Sequence, residues 1–369
     1  MGIIELGEMA MEKKKMMKRY SLLAGLVTFL LLSGSGSRTL GQQAQFQVSV
    51  DLVQLNVAVI DGKGNYVTGL KPNDFLIAED GIPEKLSFFG EGNGPTYSLI
   101  PVGENSEGKP AVPTYAPAPH KDASETLAAA VAGSNVYILF DTSNYMYRGF
   151  VFAQDAIADF VRSLETADKV AFYSYSRDLS RAELLTADRN EVVRGVRTTV
   201  AGDDAALYNS LLLTVKDASQ TQGRKVVVVF SNGPDNASVV PPEDVAELAQ
   251  STGIPIYMIS TKEARLEPVS TAVFERMTAA TGGKAYFAKN WREERKAFES
   301  IRDDLGHLYS LSYYPKPNPN HGWRSISVRL IGDRARSYHV RTRNGYRPQP
   351  SRVSAASIVE PASTAAPNN

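Results

Sequence analysis

The sequence predicts an α/β fold: a doubly wound, mostly parallel sheet inserted in a small split β domain. Three observations predict it. Between Asn135 and Leu308, short continuous apolar runs alternate with stretches of helical periodicity, the pattern of strands buried on both faces and joined by helical crossovers. Period-two alternation occupies both flanks, residues 46–89 and 308–347. Neither flank alone holds enough strands for a stable β module, so the two are expected to pair around the insertion.

The first 44 residues read as an export signal rather than as part of the fold. Lys13, Lys14, Lys15, Lys18 and Arg19 precede an apolar run from Leu22 to Leu32, followed by Ser33, Gly34, Ser35, Gly36 and Ser37, the order of a secretory signal peptide. The run is short of the roughly 20 residues that span a bilayer. A cleaved signal and a periplasmic or extracellular location are therefore expected, an uncleaved signal anchor being the alternative and the one route to a membrane. Glu5 and Glu8 ahead of the basic stretch point to a translation start at Met11.

This segment also hides the charge of the remainder. The whole chain has 40 basic and 40 acidic residues; residues 1–44 hold six basic and three acidic, which leaves 34 against 37. A mildly acidic chain with no basic stripe and interleaved aromatics is not expected to bind nucleic acid. Cysteine is absent, which excludes disulfides, thiolate nucleophiles and Fe–S clusters. His120, His307, His321 and His339 are scattered, so any metal would need oxygen ligands.

The elements follow in order. The β domain begins in residues 45–89, where Val48, Val50 and Leu52, then Leu55, Val57 and Val59 alternate, with a phase shift near Val53 that suggests a bulge. Asp80-Gly81 is expected to turn a hairpin between Phe75-Leu76-Ile77 and Leu86-Ser87-Phe88. Residues 90–133 read as a Pro/Gly-rich linker, with a short helix over Ala123 to Ala132. The α/β domain spans 134–307. Its strands are Val136 to Phe140, Val170 to Tyr173, Val226 to Phe230 and Ile254 to Ile259. Helical spacing joins Phe152, Ala156, Phe160 and Leu164; Leu207, Leu211 and Val215; and Phe298, Ile301, Leu305 and Leu308. Residues 308–348 complete the β domain through Tyr309, Leu311 and Tyr313, then Ile326, Val328 and Leu330, then Tyr338 and Val340. Residues 349–369 read as a disordered tail.

In doubly wound sheets ligands bind beyond the carboxyl ends of strands, which directs attention to Asp141-Thr142-Ser143-Asn144-Tyr145 after one strand and to Ser231-Asn232-Gly233 after another. Asp141 and Ser143 offer hard oxygens suited to Mg²⁺ or Mn²⁺; helix capping is the alternative use of such residues. Gly282-Gly283-Lys284 lacks the spacing of a phosphate loop, and no Gly-x-Ser-x-Gly elbow surrounds Ser231. The tyrosines at 309, 313 and 314 with Trp323 are read as packing before binding stripe.

This order of strand, Asp-x-Ser loop, helix, Gly202 to Leu207 segment and Phe230-Ser231-Asn232-Gly233 resembles the von Willebrand factor type A domain. The flanking Val67-Thr68-Gly69-Leu70, Asp74-Phe75, Glu79-Asp80-Gly81, Ala206-Leu207-Tyr208, Thr281-Gly282-Gly283, Tyr309, Tyr313-Tyr314 and Gly345-Tyr346 are similar to the bacterial VWFA-related family of the Acidobacterial type. The resemblance implies a Rossmann-like fold and a metal-ion-dependent adhesion site built from Asp-x-Ser-x-Ser, a Thr and an Asp. Against that pattern Asp141 and Ser143 remain, Tyr145 replaces the second Ser, Ala205 the Thr and Asn232 the Asp. Two hydroxyls and one charge are lost, and Mg²⁺ dehydrates reluctantly, so the site is expected to be degenerate and to work without a cofactor. Mg²⁺ held by Asp141, Ser143 and Asn232 with Asp204 is the alternative, Asp203 and Asp235 being further substitutes. The implied function is a non-enzymatic, exported module that binds an unidentified protein partner through Asp141, Ser143, Tyr145, Asp204, Asn232 and Asp235. Alternatives are cation-dependent adhesion and a self-associating envelope protein.

Overall fold

The computed structural model describes residues 52–92, 94–99, 134–164, 167, 169–261, 268–332 and 335–348. The signal segment, the helix expected at Ala123 to Ala132, most of the linker and the tail lie outside the described residues.

The first strands are β1 (Val53–Asp61), β2 (Phe75–Glu79), β3 (Ile82–Glu84), β4 (Leu86–Glu91) and β5 (Tyr97–Ser98). Next come β6 (Ser134–Asp141), α1 (Phe150–Ser163), β7 (Lys169–Tyr175), β8 (Leu179–Thr186), α2 (Arg189–Arg197) and α3 (Leu207–Ser219). Then follow β9 (Arg224–Phe230), α4 (Pro242–Thr252), β10 (Ile256–Thr261), α5 (Pro268–Thr281), β11 (Ala285–Ala288) and α6 (Trp291–His307). The chain closes with β12 (Tyr309–Tyr313), β13 (Arg324–Leu330), β14 (Tyr338–Arg341) and β15 (Gly345–Tyr346).

The central sheet runs β11-β10-β9-β6-β7-β8. All its pairs are parallel except β7 with β8. Every residue of β6 is buried, because helices cover both faces. Ile138 and Phe140 join Phe160 of α1, Val192 of α2 and Phe298 of α6 in one core layer; Tyr137 and Leu139 join Leu211, Val245 and Phe274 of α3, α4 and α5 in the other. Each such apolar side chain contributes roughly 1.5–3 kcal/mol on burial. The order reverses between β9 and β6, and at such a switch point the loops diverge and leave a crevice.

The flanking strands form two antiparallel sheets, β14-β1-β12-β4-β5 and β15-β13-β2-β3, over a core of Leu55, Val57, Phe75, Ile77, Phe89, Tyr309, Leu311 and Tyr313. The α/β domain is inserted in this β domain, since β1 pairs with β12 and β2 with β13 across it.

Two local expectations need correction. Asp80-Gly81 does turn a hairpin, with φ of 49° and 81°, the positive values a type I′ turn demands, but its second strand is β3. Leu86 to Phe88 cross instead to the other sheet and pair with β12; Pro83, which lacks an N–H, confines β3 to a three-residue edge. The linker reading also starts too early. Gly90 and Glu91 pair with Ser310 and Tyr309, and Tyr97–Ser98 pair back onto Phe89 and Phe88, so the glycines there serve a tight reversal.

Candidate functional site

Three loops meet at the switch point, 141–147 after β6, 202–206 before α3 and 231–236 after β9. Backbone hydrogen bonds tie them together: the Asn144 amide donates to the Asp203 carbonyl (3.0 Å), Gly202 to Thr142 (2.7 Å) and Asn236 to Ala205 (3.0 Å). Gly202 is required by contact, since a Cβ there would lie 2.5 Å from the side chain of Ser176.

Asp141 is fully buried at the end of β6. Its Oδ1 accepts the Ser143 amide at 2.9 Å and its Oδ2 accepts the Ser231 hydroxyl at 2.7 Å. Ser231 in turn accepts from the Tyr175 hydroxyl at 3.0 Å and the Gly233 amide at 3.1 Å. Burial pushes the Asp141 carboxyl above its ordinary range, opposed by the neighbouring hydroxyls of Ser143, Ser231 and Tyr175 and the Ser143 amide. Burial, reinforced by the Asp141 charge, likewise drives the Tyr175 phenol well above its usual value. The carboxylate therefore sits in a low-dielectric place with neutral donors alone.

Ser143 and Asn232 supply two further oxygens. Asn232 Nδ2 donates to the Tyr145 carbonyl at 2.6 Å, which leaves Asn232 Oδ1 buried without a hydrogen-bond partner; Ser143 Oγ is buried and makes no hydrogen bond of ordinary geometry either. Ser143 precedes a 3₁₀ turn without capping it, so capping does not account for this hydroxyl.

The other sequence candidates are engaged elsewhere. Asp235 Oδ2 accepts the Tyr208 amide at 3.0 Å and Oδ1 the Ser238 amide at 2.8 Å; it caps α3, whose own cap position, Ala206, makes no side-chain bond. Asp204 faces Arg177 at 3.7 Å and accepts from Asn236 Nδ2 at 3.4 Å. Asp203 contributes its carbonyl to the loop and keeps an exposed side chain. Ala205 is buried and bonded through its backbone to Asn236. Tyr309 and Tyr313 are core residues, Tyr313 donating to the buried Glu79 at 2.9 Å.

Sequence reasoning named Tyr145 for partner binding but missed the exposed apolar residues of the first turn of α1. Tyr145, Tyr147, Val151 and Phe152 are 40%, 75%, 63% and 61% exposed, a concentration of large apolar side chains within eight residues beside the buried polar cluster. Phe152 had been legible as a helical core position. Its place in the first turn of α1 instead turns it outward.

Asp141, Ser143 and Asn232 present one carboxylate and two neutral oxygens, while Ala205 brings no side-chain oxygen. Among the described residues no group of three or more acidic or histidine side chains is placed to hold a metal. A divalent cation held here would have the oxygens of Asp141, Ser143 and Asn232 as its protein ligands and water for the rest of its shell, with a single carboxylate to offset its charge.

The fold is an open α/β domain, a mostly parallel sheet with helices on both faces, and three loops meet at its switch point. More narrowly, residues 135–303 match the profile of the von Willebrand factor type A domain, and the chain carries that domain. A UPF0353 protein of Mycolicibacterium paratuberculosis is 30% identical over 119 residues, which cover 28% of this chain and 34% of that protein; the chain thus spans about a third of that relative's length. Among solved structures, an aerotolerance-related membrane protein of Bacteroides fragilis is 16% identical, covering 46% of this chain and 99% of that one, with TM-score 0.38. The von Willebrand domain of the type V pili tip protein Mfa5 of Porphyromonas gingivalis is 11% identical over 51% and 98%, TM-score 0.41. Mussel byssus proximal thread matrix protein 1, with a zinc-occupied MIDAS motif, is 10% identical over 51% and 49%, TM-score 0.40.

Proposed function

We propose that this chain is an exported, non-enzymatic interaction protein that binds a protein partner through loops 141–147, 202–206 and 231–236. The observation that carries the reading is the exposure of Tyr145, Tyr147, Val151 and Phe152 within the eight residues 145–152, which follow the Asp141–Ser143 loop in the chain; large exposed aromatics near desolvated polar groups are the makings of a binding hot spot. Ser231 supports a non-catalytic role: it is fully buried and its hydroxyl is committed to Asp141. Export rests on the residue pattern of positions 13–37. The Tyr147→Ser/Phe152→Ser double variant is expected to bind the partner captured from the exported fraction at least tenfold more weakly, or about 1.4 kcal/mol. Unchanged binding in surface plasmon resonance would refute this surface.

The two unpartnered oxygens, Ser143 Oγ and Asn232 Oδ1, favour one second reading, cation-dependent adhesion with Asp141 and Ser143 as ligands. Calorimetry with Mg²⁺, Mn²⁺ and Ca²⁺ on the wild type and Asp141→Ala separates the two, a saturable heat in the wild type alone selecting the cation.

A further inference from the structure

We draw no further inference here: the strongest candidate, the outer edge of β8 at the end of the central sheet, where Leu184 is 61% exposed, carries none because nothing in the structure shows what covers it.

Discussion

Asp141 and Asp80 are carboxylates of opposite character, and the difference is environmental. Asp141 is buried among neutral donors and its pKa is raised, chiefly by burial. The folded state then binds a proton more readily than the unfolded chain, so this group lowers stability as pH rises above the ordinary aspartate range. Asp141→Asn is expected to raise the melting temperature at pH 7, with a smaller gain in acid, by differential scanning calorimetry. Asp80 lies at the exposed hairpin tip, where the Ser325 amide, the Asn320 and Asn318 side chains and the Ser325 hydroxyl lower its pKa to about 2. Its stabilisation is present above the unfolded pKa and is lost as pH falls from about 4 toward 2. In urea titrations at pH 5 and pH 2.5, Asp80→Asn should show a weaker acid dependence than the wild type.

At the scale of elements, loops and helices lend one another what they lack. The first turn of α3 has no cap of its own, and Asp235 of the 231–236 loop supplies it. Asp235→Ala is therefore expected to cost about 0.5–2 kcal/mol in chemical denaturation, the range for a lost N-cap. The same bond holds the third loop against α3, so the variant should also broaden the NMR signals of residues 231–236. On the opposite face, Phe298 of α6 packs on Phe160 and Phe230 at centroid distances of 4.8 and 5.7 Å. Phe298→Ala removes that contact from a buried layer, and a loss of about 3–5 kcal/mol is expected from the same measurement.

Across the whole molecule, a buried ion pair joins the inserted domain to the β domain. Arg341 of β14 pairs with Asp304 of α6, which is fully buried and also accepts the Tyr257 hydroxyl at 2.5 Å. Arg343, likewise buried, donates to the carbonyls of Gln250 on α4 and Gln54 on β1. Removing one partner of such a pair leaves an uncompensated charge and costs about 3–5 kcal/mol. The two tryptophans report the domains separately, Trp291 on α6 and Trp323 beside β13. With single-tryptophan variants, fluorescence in urea should give coincident midpoints in the wild type and separated ones with Arg341→Ala.

Periodicity alone determined the inserted α/β architecture: apolar runs such as Val226 to Phe230 must be buried on both faces, and alternation such as Tyr309, Leu311, Tyr313 must be buried on one. Asp141 and Ser231 were placed for the same reason, because the residue after a buried strand emerges at a sheet edge. The helices α2, α4 and α5 and the edge strands β8 and β11 escaped notice; β8 and β11 are mostly half-exposed and so lack a continuous apolar run. Contacts distant in sequence were not legible: that Asp235 caps α3 from 27 residues away, that Asp304 meets Arg341, and that Asn232 turns its amide to Tyr145 and leaves its oxygen unpaired. Those facts depend on which side chains tertiary packing brings within hydrogen-bond reach, and no periodicity in a single chain encodes that distance.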